Sequence, residues 1–423
     1  MLIGLVAVGS ELLTPYYQDT DSLFITQRLN DLGLEPSFKI VVGDEPENLK
    51  MILQICLDKA DLTFVVGGLG PTEDDRTKET LAEVLQRKLI FHPEILARIE
   101  ERFERRGMKM PESNRRQAYI LEGAEILPNK VGTAPGQWIE FDNKKIILLP
   151  GPPRELQPMF NEFVVPKLEA WRKGYLYRRI IKITGLTESQ VEDKIKDLYP
   201  HSRDLRVTVL AYPGQIEIHL LSLAEKESLA KEKLDPLLEA LTQRLGDNIF
   251  STTGEELEAI VGQLLRQSGQ TLAVAESCTG GLVGHRLTSI PGSSTYFLEG
   301  AVVYSNEAKI RTLNVPAELI QQYGAVSSEV AKILAENIRL KSGASLGLSI
   351  TGIAGPGGGS EIKPVGLVFT GLSWNSGTEV VRNLFLGGRE QIKFQSSQKA
   401  LDMLRRHLLK KIAGDKNENF HCN

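Results

Sequence analysis

A serine and a lysine in the C-terminal third of the chain carry functional groups suited to acyl transfer. Ser277 lies in TLAVAESCTGG, where an apolar strand runs into a helix, and the positive potential at a helix N-terminus favours alkoxide character. Tyr304 and Lys309 lie five residues apart in AVVYSNEAK. His285 falls inside the helix after Ser277, so no histidine has the setting of a general base. Because a desolvated lysine can lose its proton near neutrality, Lys309 is the best candidate for the base.

Each of these residues also has a structural interpretation. An isolated serine at a helix start is usually a cap, and a lysine there is usually solvated. Cys278, beside the serine, is a rival nucleophile. Two other segments favour a site: SITGIAGPGGG brings Thr351 and a run of backbone N–H groups to a strand end, and GGREQIK brings Arg389 to the start of the last helix.

A second group of candidate residues lies near the N-terminus, where three apolar strands end in turns. The segments are VAVGSELL, VVGGLGPTEDDRT and LLPGPPRE. In an open parallel sheet, ligands bind beyond the carboxyl ends of the strands, so these turns should converge on one crevice. Glycines let backbone N–H groups approach an anion closely, and a nearby hydroxyl adds a donor. The candidate donors are Gly67, Gly68, Gly70 and Thr72.

Carboxylates accompany these glycines. Asp74 and Asp75 lie just before a helix that is predicted to start near Thr77, and they are too acidic to face a phosphate unaided. A hard divalent cation such as Mg²⁺ would bridge carboxylate and phosphate. The further candidate ligands are Glu11, Asp19 and Asp21. Taken alone, a Gly-Gly pair is often only a turn, and Asp or Thr before a helix is often only a cap.

Elements that alternate along the chain must position both groups of residues. Short apolar runs alternate with amphipathic helices at both ends, which predicts α/β domains with parallel sheets, the first of them doubly wound. A small α+β unit lies between them, with VTVLAYPGQIEIHLL as a hairpin that turns at Pro213-Gly214. We expect domains over 1–172, 173–252 and 253–413, followed by a polar, disordered tail over 414–423.

Composition excludes several classes of protein. The 423 residues suggest two or three domains, and 41% apolar with 25% charged residues is typical of a globular chain. The net charge of −4 argues against a dedicated nucleic-acid binder. The three cysteines are scattered and form no CxxC pair, which argues against a disulfide framework or a zinc site. No apolar run is long enough to cross a membrane. These observations predict a cytoplasmic protein.

The N-terminal motif GGLGPTEDDRT resembles the molybdopterin-binding fold, whose loop reads Gly-Gly-x-Gly and then Asp-x-Thr. Asp75 and Thr77 match the last motif, which implies that Thr77 contacts substrate. Together with VGSELL, DTDS, GTAPG and LPGPPRE, the set resembles the CinA family of competence/damage-inducible proteins. There the resemblance implies metal-dependent hydrolysis of ADP-ribose to AMP and ribose 5-phosphate. Asp21 stands where the family often has Asn, which bears on the choice of metal.

The segment 255–410 also resembles the CinA family, through AESCTGG, GSSTYFLEGAVVYSNEAKI, TGIAGPGGG and GGRE. The resemblance implies an amidase that converts nicotinamide mononucleotide to nicotinate mononucleotide and ammonia without a cofactor. It implies that Ser277 is the nucleophile, that Lys309 is its base and that Tyr304 orients the two. It further implies roles in the oxyanion or substrate pocket for a second set of residues: Thr279, Thr351, Gly352, Gly355 and, against the nucleotide phosphate, Arg389.

The sequence therefore predicts a two-headed enzyme of pyridine-nucleotide salvage. Two alternatives remain open: a front domain that binds a pterin or nucleotide without cleaving it, and an adaptor protein in competence or DNA repair. The middle unit is similar to a KH module but lacks the GxxG loop that clamps a nucleic-acid backbone, so a spacer or dimerisation role is favoured and nucleic-acid binding is not expected. The resemblance implies a homodimer, and no membrane partner is expected.

Overall fold

The chain forms two compact units in a computed structural model. One unit contains residues 1–176 and 223–230, and the other contains 177–222 and the chain from Lys231 onward. The residues described are 1–200, 202 and 204–420, with the side chains of 414–420 excepted.

The N-terminal unit is built on a six-stranded sheet of order β2-β1-β3-β8-β7-β6, with a separate two-stranded ribbon β4-β5. Strands β2, β1, β3 and β8 are parallel, whereas β7 and β6 are antiparallel. The strands are β1 (Ile3–Val8), β2 (Phe38–Val42), β3 (Leu62–Val66), β4 (Leu89–Phe91), β5 (Tyr119–Leu121), β6 (Glu125–Leu127), β7 (Gly136–Phe141) and β8 (Lys144–Leu149). The helices are α1 (Thr20–Asp31), α2 (Pro46–Lys59), α3 (Thr77–Leu85), α4 (Pro93–Glu104), α5 (Pro153–Met159) and α6 (Val165–Leu168).

Both faces of this sheet are buried, which explains its continuous apolar strands. Leu5 of β1 packs into the cluster that contains α1 and α5 residues, while the next residue, Val6, packs into the cluster that contains α2 and α3 residues. Successive side chains of a strand point to opposite faces of the sheet, so a single apolar run contributes residues to both hydrophobic layers. The doubly wound architecture predicted for this region is confirmed, but the sheet is not parallel throughout as predicted, because β7 and β6 extend one edge with antiparallel pairs.

The middle segment forms a four-stranded sheet of order β10-β11-β9-β12. Strands β10 and β11 pair as an antiparallel hairpin in which Tyr212 faces Gln215, so the turn predicted at Pro213-Gly214 is confirmed. The strands are β9 (Tyr175–Ile183), β10 (Leu205–Tyr212), β11 (Gln215–Ala224) and β12 (Ile249–Ser251), and the helices are α7 (Glu188–Ile195), α8 (Glu227–Glu232) and α9 (Asp235–Leu245).

The C-terminal segment has a five-stranded sheet of order β14-β13-β15-β16-β17. The strands are β13 (Leu272–Glu276), β14 (Phe297–Val302), β15 (Leu346–Gly352), β16 (Leu367–Trp374) and β17 (Gly377–Leu384). The helices are α10 (Leu257–Gln267), α11 (Leu282–Thr288), α12 (Asn306–Leu313), α13 (Ala317–Tyr323), α14 (Ser328–Ser342) and α15 (Arg389–Phe420). The disorder predicted for 414–423 stays a prediction, because the side chains from 414 onward and the last three residues lie outside the described part.

This last sheet is mixed rather than parallel, which corrects the prediction. Strands β14, β13 and β15 are parallel, but β15, β16 and β17 are antiparallel. No helix separates β15 from β16, and β16 returns as β17 through a tight turn between Trp374 and Gly377. A parallel pairing needs a crossover connection, so these short links require antiparallel pairs.

Two buried cationic side chains, Lys182 and Arg405, link the middle sheet to the C-terminal segment. The Lys182 ammonium of β9 forms ion pairs with Glu217 of β11 and with Glu256, just before α10. On α15, Arg405 pairs with Asp402 at 2.7 Å, and the two residues are 2% and 1% exposed. Arg405 also donates to the carbonyl oxygens of Asp247 and Ile249, at 2.5 and 3.2 Å.

Among the described residues, no helix has the length and apolar character needed to cross a membrane.

Candidate active sites at two sheet edges

The side chains of Ser277 and Lys309 meet at the carboxyl edge of the C-terminal sheet. Ser277 directly follows β13, and Lys309 lies on α12, which follows the neighbouring strand β14. The Lys309 Nζ lies 3.1 Å from the Ser277 Oγ. Ser277 is 7% exposed and Lys309 only 1%, so the contact is shielded from water. The interpretation of Lys309 as a solvated helix-start lysine is therefore wrong.

The Lys309 ammonium has two further partners, and neither is a carboxylate. Nζ donates to the carbonyl oxygens of Val303 and Tyr304, at 2.8 and 3.1 Å. Burial lowers the pKa of Lys309 from its ordinary value, and the nearby Cys278 sulfur partly opposes this. In the neutral amine, two N–H bonds can serve the two carbonyls, which leaves the nitrogen lone pair for the Ser277 hydroxyl proton.

The helix after Ser277 starts later than the sequence predicts. Helix α11 begins at Leu282, and Gly280 and Gly281 adopt positive φ angles of 63° and 95° in the turn before it. Ser277 lies at the end of β13, where its N–H donates to the Ile350 carbonyl at 3.0 Å. It is therefore not at the N-terminus of the helix, and the expected activation by the helix potential is wrong.

A carboxylate that sequence reasoning missed occupies that N-terminus. Glu276 is 2% exposed, and its carboxylate accepts hydrogen bonds from three backbone N–H groups. The donors and distances are Gly281 at 3.0 Å, Val283 at 3.1 Å and Gly284 at 2.8 Å. Glu276 thus offsets the positive helix end and fixes the turn that carries Ser277. The sequence signal that could have indicated this role is the position of Glu276, a charged residue at the end of the otherwise apolar strand β13.

Cys278 is unsuited to replace the serine. Its side chain packs in the hydrophobic core of this segment, and burial raises its pKa to about 12. The thiolate is the nucleophilic form of cysteine, so this sulfur is held in its unreactive state.

Tyr304 and Arg389 form the exposed side of the same site. The Tyr304 hydroxyl accepts from Arg389 Nη2 at 2.8 Å, and Arg389 Nη1 donates to the Gly355 carbonyl at 2.6 Å. The phenol of Tyr304 therefore contacts Arg389, whereas the contact of Tyr304 with Lys309 is made by its backbone carbonyl. The expectation that the phenol orients Ser277 and Lys309 is therefore wrong: it is the Tyr304 backbone carbonyl that contacts Lys309.

Thr351 and Thr279 are both 1% exposed, but their hydroxyl groups differ. Thr351 Oγ1 donates to the Ala325 carbonyl at 2.8 Å, so its proton is already engaged. Thr279 Oγ1 is buried and has no hydrogen-bond partner among the described residues. Gly352 ends β15, and so belongs to the strand rather than to the loop that follows.

The three N-terminal turns line one cleft of about 630 Å³, as their strand order requires. Its lining includes Gly67, Gly68, Gly70 and Thr72 from the turn after β3. Gly67 and Gly68 have φ angles of 103° and 66°, and a Cβ on Gly67 would lie 2.2 Å from the Val8 carbonyl oxygen. A side chain at this position would therefore force the turn out of shape.

Thr77 supports this turn from behind and does not line the cleft. It is fully buried, its hydroxyl donates to the Gly67 carbonyl at 2.9 Å, and its N–H donates to the Gly68 carbonyl at 3.2 Å. The expectation that Thr77 contacts substrate is therefore wrong. The N–H groups of Gly68, Leu69 and Gly70 donate no hydrogen bond among the described residues, which leaves them available to an anion.

The cleft is strongly acidic. Seven carboxylate residues line it, and no lysine, arginine or histidine does so among the described residues. Those carboxylates are Glu11, Asp19, Asp21, Asp44, Asp74, Asp75 and Glu155. Asp44 and Glu155 were not singled out from the sequence, although each follows a strand end, in VVGDEP and LPGPPRE.

The five candidate metal ligands line this cleft but do not form a protein-only metal cage. No group of three or more His, Cys, Asp or Glu in the described part of the chain is arranged to hold a metal ion. Asp75 Oδ2 instead accepts from the N–H and hydroxyl of Thr72, at 2.9 and 2.5 Å. Asp21 Oδ1 is buried and has no hydrogen-bond partner in the described part of the chain, and burial, together with Asp19, raises the pKa of Asp21 to about 6. Such a donor set fits a cation that takes one or two carboxylates and completes its shell with substrate phosphates.

In a comparison with known proteins, each of the three segments matches the model of a protein family. Family models match residues 4–170 ("Probable molybdopterin binding domain"), 178–251 ("Damage-inducible protein CinA KH domain") and 254–408 ("CinA C-terminal domain").

Full-length relatives are also similar to the chain. A CinA-like protein from Koribacter versatilis is 45% identical over 97% of this chain and all of its own length. A CinA-like protein from Dictyoglomus thermophilum is 43% identical over the same shares. A crystal structure of a CinA superfamily protein from Klebsiella pneumoniae, 31% identical, covers 36% of this chain and 96% of its own, with a TM-score of 0.36.

Proposed function

The chain belongs to the CinA family, and on that premise we propose that its C-terminal domain hydrolyses an amide bond by serine–lysine catalysis. The observation that carries the proposal is the buried 3.1 Å contact between Lys309 Nζ and Ser277 Oγ. A lysine without a carboxylate partner and with a lowered pKa can act as a base, which a solvated lysine cannot do near neutrality.

In the first step, neutral Lys309 takes the hydroxyl proton of Ser277 while Oγ attacks the carboxamide carbon. The C=O electron pair moves onto oxygen. The N–H groups of Cys278 and Thr279 donate no hydrogen bond among the described residues, and they are our candidates for stabilising that oxyanion. When the carbonyl re-forms, the C–N bond breaks, and the Lys309 ammonium gives its proton to the departing nitrogen as ammonia.

In the second step, water hydrolyses the acyl-serine. Lys309, neutral again, takes a proton from the water molecule while the water oxygen attacks the ester carbon. The ester C–O bond breaks, and the proton returns to Ser277 Oγ. The products are a carboxylic acid, which ionises at neutral pH, and the original enzyme. No cofactor is needed for either step.

We propose nicotinamide mononucleotide as the amide substrate and nicotinate mononucleotide as the product. Support comes from the resemblance of the motifs around Ser277 and Lys309 and from Arg389. Its guanidinium is exposed at the edge of the site and is fixed by the Gly355 carbonyl and the Tyr304 hydroxyl. A fixed guanidinium fork suits a phosphate monoester.

For the N-terminal domain we propose hydrolysis of the pyrophosphate of ADP-ribose to AMP and ribose 5-phosphate. The free N–H groups of the turn after β3 would hold phosphate oxygens, and the carboxylates of Asp21 and Asp75 would hold a divalent cation. Such a cation, when bound, neutralises charge on the phosphates. The absence of a three-residue metal group in the described part of the chain favours one alternative, in which the cleft binds a nucleotide without cleaving it.

Assays of the full-length chain test both activities. With nicotinamide mononucleotide we expect ammonia release that is unaffected by EDTA, and with ADP-ribose we expect AMP release only when Mg²⁺ or Mn²⁺ is present. Ammonia release without any nicotinate mononucleotide would contradict the first proposal. Tight ADP-ribose binding without AMP under every metal would support the binding alternative. Light scattering tests the proposed homodimer.

A further inference from the structure

A second cavity of the N-terminal unit lies beside the acidic cleft and has the opposite charge. It has a volume of about 360 Å³, and residues of α4 and of the loop between β6 and β7 line it. Four arginines and one glutamate line the cavity, a surplus of three positive charges in a chain whose net charge is −4. The charged residues are Arg98, Arg102, Arg105, Arg106 and Glu101.

The floor of this arginine cavity is apolar and well packed. Ile95 and Ile99 are 6% and 3% exposed and belong to a small hydrophobic cluster with Ala118 and Ile120. Above this floor, Arg98 and Arg106 have no hydrogen-bond or ion-pair partner among the described side chains, whereas Arg105 pairs with Glu101. Arg98 also interacts electrostatically with Glu94 one turn earlier on α4, but it forms no ion pair there in the described part of the chain, so both guanidinium groups keep N–H donors for an anion attached to a less polar body.

One loop separates the arginine cavity from the acidic cleft. Thr133 lines both of them. Asn129 holds this loop: its side-chain nitrogen donates to the Ala134 carbonyl at 2.8 Å and to Glu155 Oε2 at 2.6 Å. Its side-chain oxygen accepts from the N–H groups of Val131 and Gly132, at 3.0 and 2.5 Å.

The loop also lies close against the wall of the cleft. A Cβ on Gly132 would lie 1.8 Å from Glu155 Oε2, so any larger residue here would have to displace the Glu155 carboxylate. On the other side, Arg102 donates to the Lys130 carbonyl at 3.3 Å and ties the loop to α4. Thr133 is thus the residue at which the two cavities adjoin.

We propose that the arginine cavity is an anion subsite of the N-terminal cleft, which takes an additional phosphate group of a nucleotide whose pyrophosphate lies in the cleft. This inference rests on the proposed function of that cleft. The cleft has no cationic side chain among its described lining residues, so the arginines would supply the direct charge contact. Arginine is the residue that commonly accommodates a ribose 2′-phosphate, and the probe that carries this extra group is ADP-ribose 2′-phosphate.

The experiment compares binding of ADP-ribose and ADP-ribose 2′-phosphate to the full-length chain by calorimetry, with Ca²⁺ in place of Mg²⁺. We expect the phosphorylated ligand to bind about tenfold more tightly, since hydrogen bonds between charged groups are strong. The variant R98Q/R106Q should lose this preference and keep its affinity for ADP-ribose. The matched control K50Q/K59Q removes two positive charges from α2, whose lysines line neither cavity, and it should keep the preference.

The outcomes separate this proposal from the proposed function. If both ligands bind equally to the wild-type chain, or if R98Q/R106Q keeps the preference, the subsite is wrong while the cleft assignment stands. If the preference is present and depends on the arginines, but neither ligand is cleaved with Mg²⁺, the subsite stands and the hydrolytic function is wrong. If neither ligand binds, both proposals are overturned.

Discussion

The two candidate sites of this chain differ in how much of their chemistry is already assembled. At the C-terminal sheet edge, Lys309 and Ser277 are in contact, and burial holds the pKa of the lysine below its usual value. At the N-terminal edge, seven carboxylates line a cleft without any cationic side chain in its described lining. The comparison shows that one α/β sheet edge can place a serine and a lysine in contact without any added group. Another such edge can form an acidic cleft that needs a cation from solution before it binds a phosphate.

The largest effect should come from removing the serine. S277A should lower kcat for ammonia release by about 10⁴-fold or more, because no other hydroxyl among the described residues is hydrogen-bonded to Lys309 Nζ. C278A should retain activity, since the buried thiol has a pKa of about 12. Coupled measurement of ammonia release checks both variants. An active S277A together with an inactive C278A would reverse the assignment of the nucleophile.

Replacing the lysine should have the next largest effect. K309M should lower kcat by about 10³-fold, the scale of general-base catalysis. K309R should be similarly inactive, because arginine keeps its proton. In the wild-type chain kcat should rise with pH as Lys309 loses its proton and then become constant, with the midpoint below the usual range for lysine. A rate that does not change with pH from 5 to 10 would exclude Lys309 as the base.

A smaller effect is expected at the N-terminal cleft. D75N should lower kcat/KM for ADP-ribose with Mg²⁺ by about a hundredfold, since it removes one carboxylate and disturbs the hydrogen bonds from Thr72. Ammonia release should change by less than about twofold, because Ser277 and Lys309 belong to the other compact unit and share no partner with Asp75 among the described residues. Chromatography of AMP and the ammonia assay, run on one preparation, check the separation. Equal losses in both activities would show that the two sites are not independent.

The smallest effect is expected for the carboxylate that holds the serine turn. E276Q should lower the free energy of unfolding by about 1–3 kcal/mol, because charged acceptors form the stronger hydrogen bonds. It should also lower kcat by about tenfold with little change in KM, as Ser277 loses its fixed position. Urea unfolding and steady-state kinetics check this, with E299Q on the adjacent strand as the control. Normal kcat in a destabilised E276Q would limit Glu276 to a structural role.

Sequence patterns predicted the elements whose signals are local. Helix α3 begins at Thr77 as expected, and β13 and β1 lie where apolar runs end in polar turns. The antiparallel pairing of β16 and β17 was harder to predict, because a buried strand has the same apolar pattern whether its neighbour is parallel or antiparallel. The connections decide the pairing, and their geometry cannot be read from composition.

The site residues show the same limit. Glycine, aspartate and serine at strand ends indicated both edges, and the strand order brings these residues together. The sequence did not show which hydroxyl faces inward: Thr77 turns its hydroxyl toward the Gly67 carbonyl, and Thr351 toward that of Ala325. Nor did it show that Glu276 takes the N–H groups of the helix end. These outcomes depend on side-chain directions that arise only when separate segments pack.

The polar links of Lys182 and Arg405 have a consequence for how the second unit denatures. Arg405 donates to the carbonyl oxygens of Asp247, just before β12, and of Ile249, the first residue of β12, and Lys182 pairs with Glu256 across the same junction. Pulling the middle sheet from the C-terminal segment would take two carbonyl acceptors from the buried Arg405 guanidinium, and removing the partners of a buried charged group is costly. The two segments should therefore melt in a single calorimetric transition, and cutting the chain near Thr253 should not by itself set the fragments free.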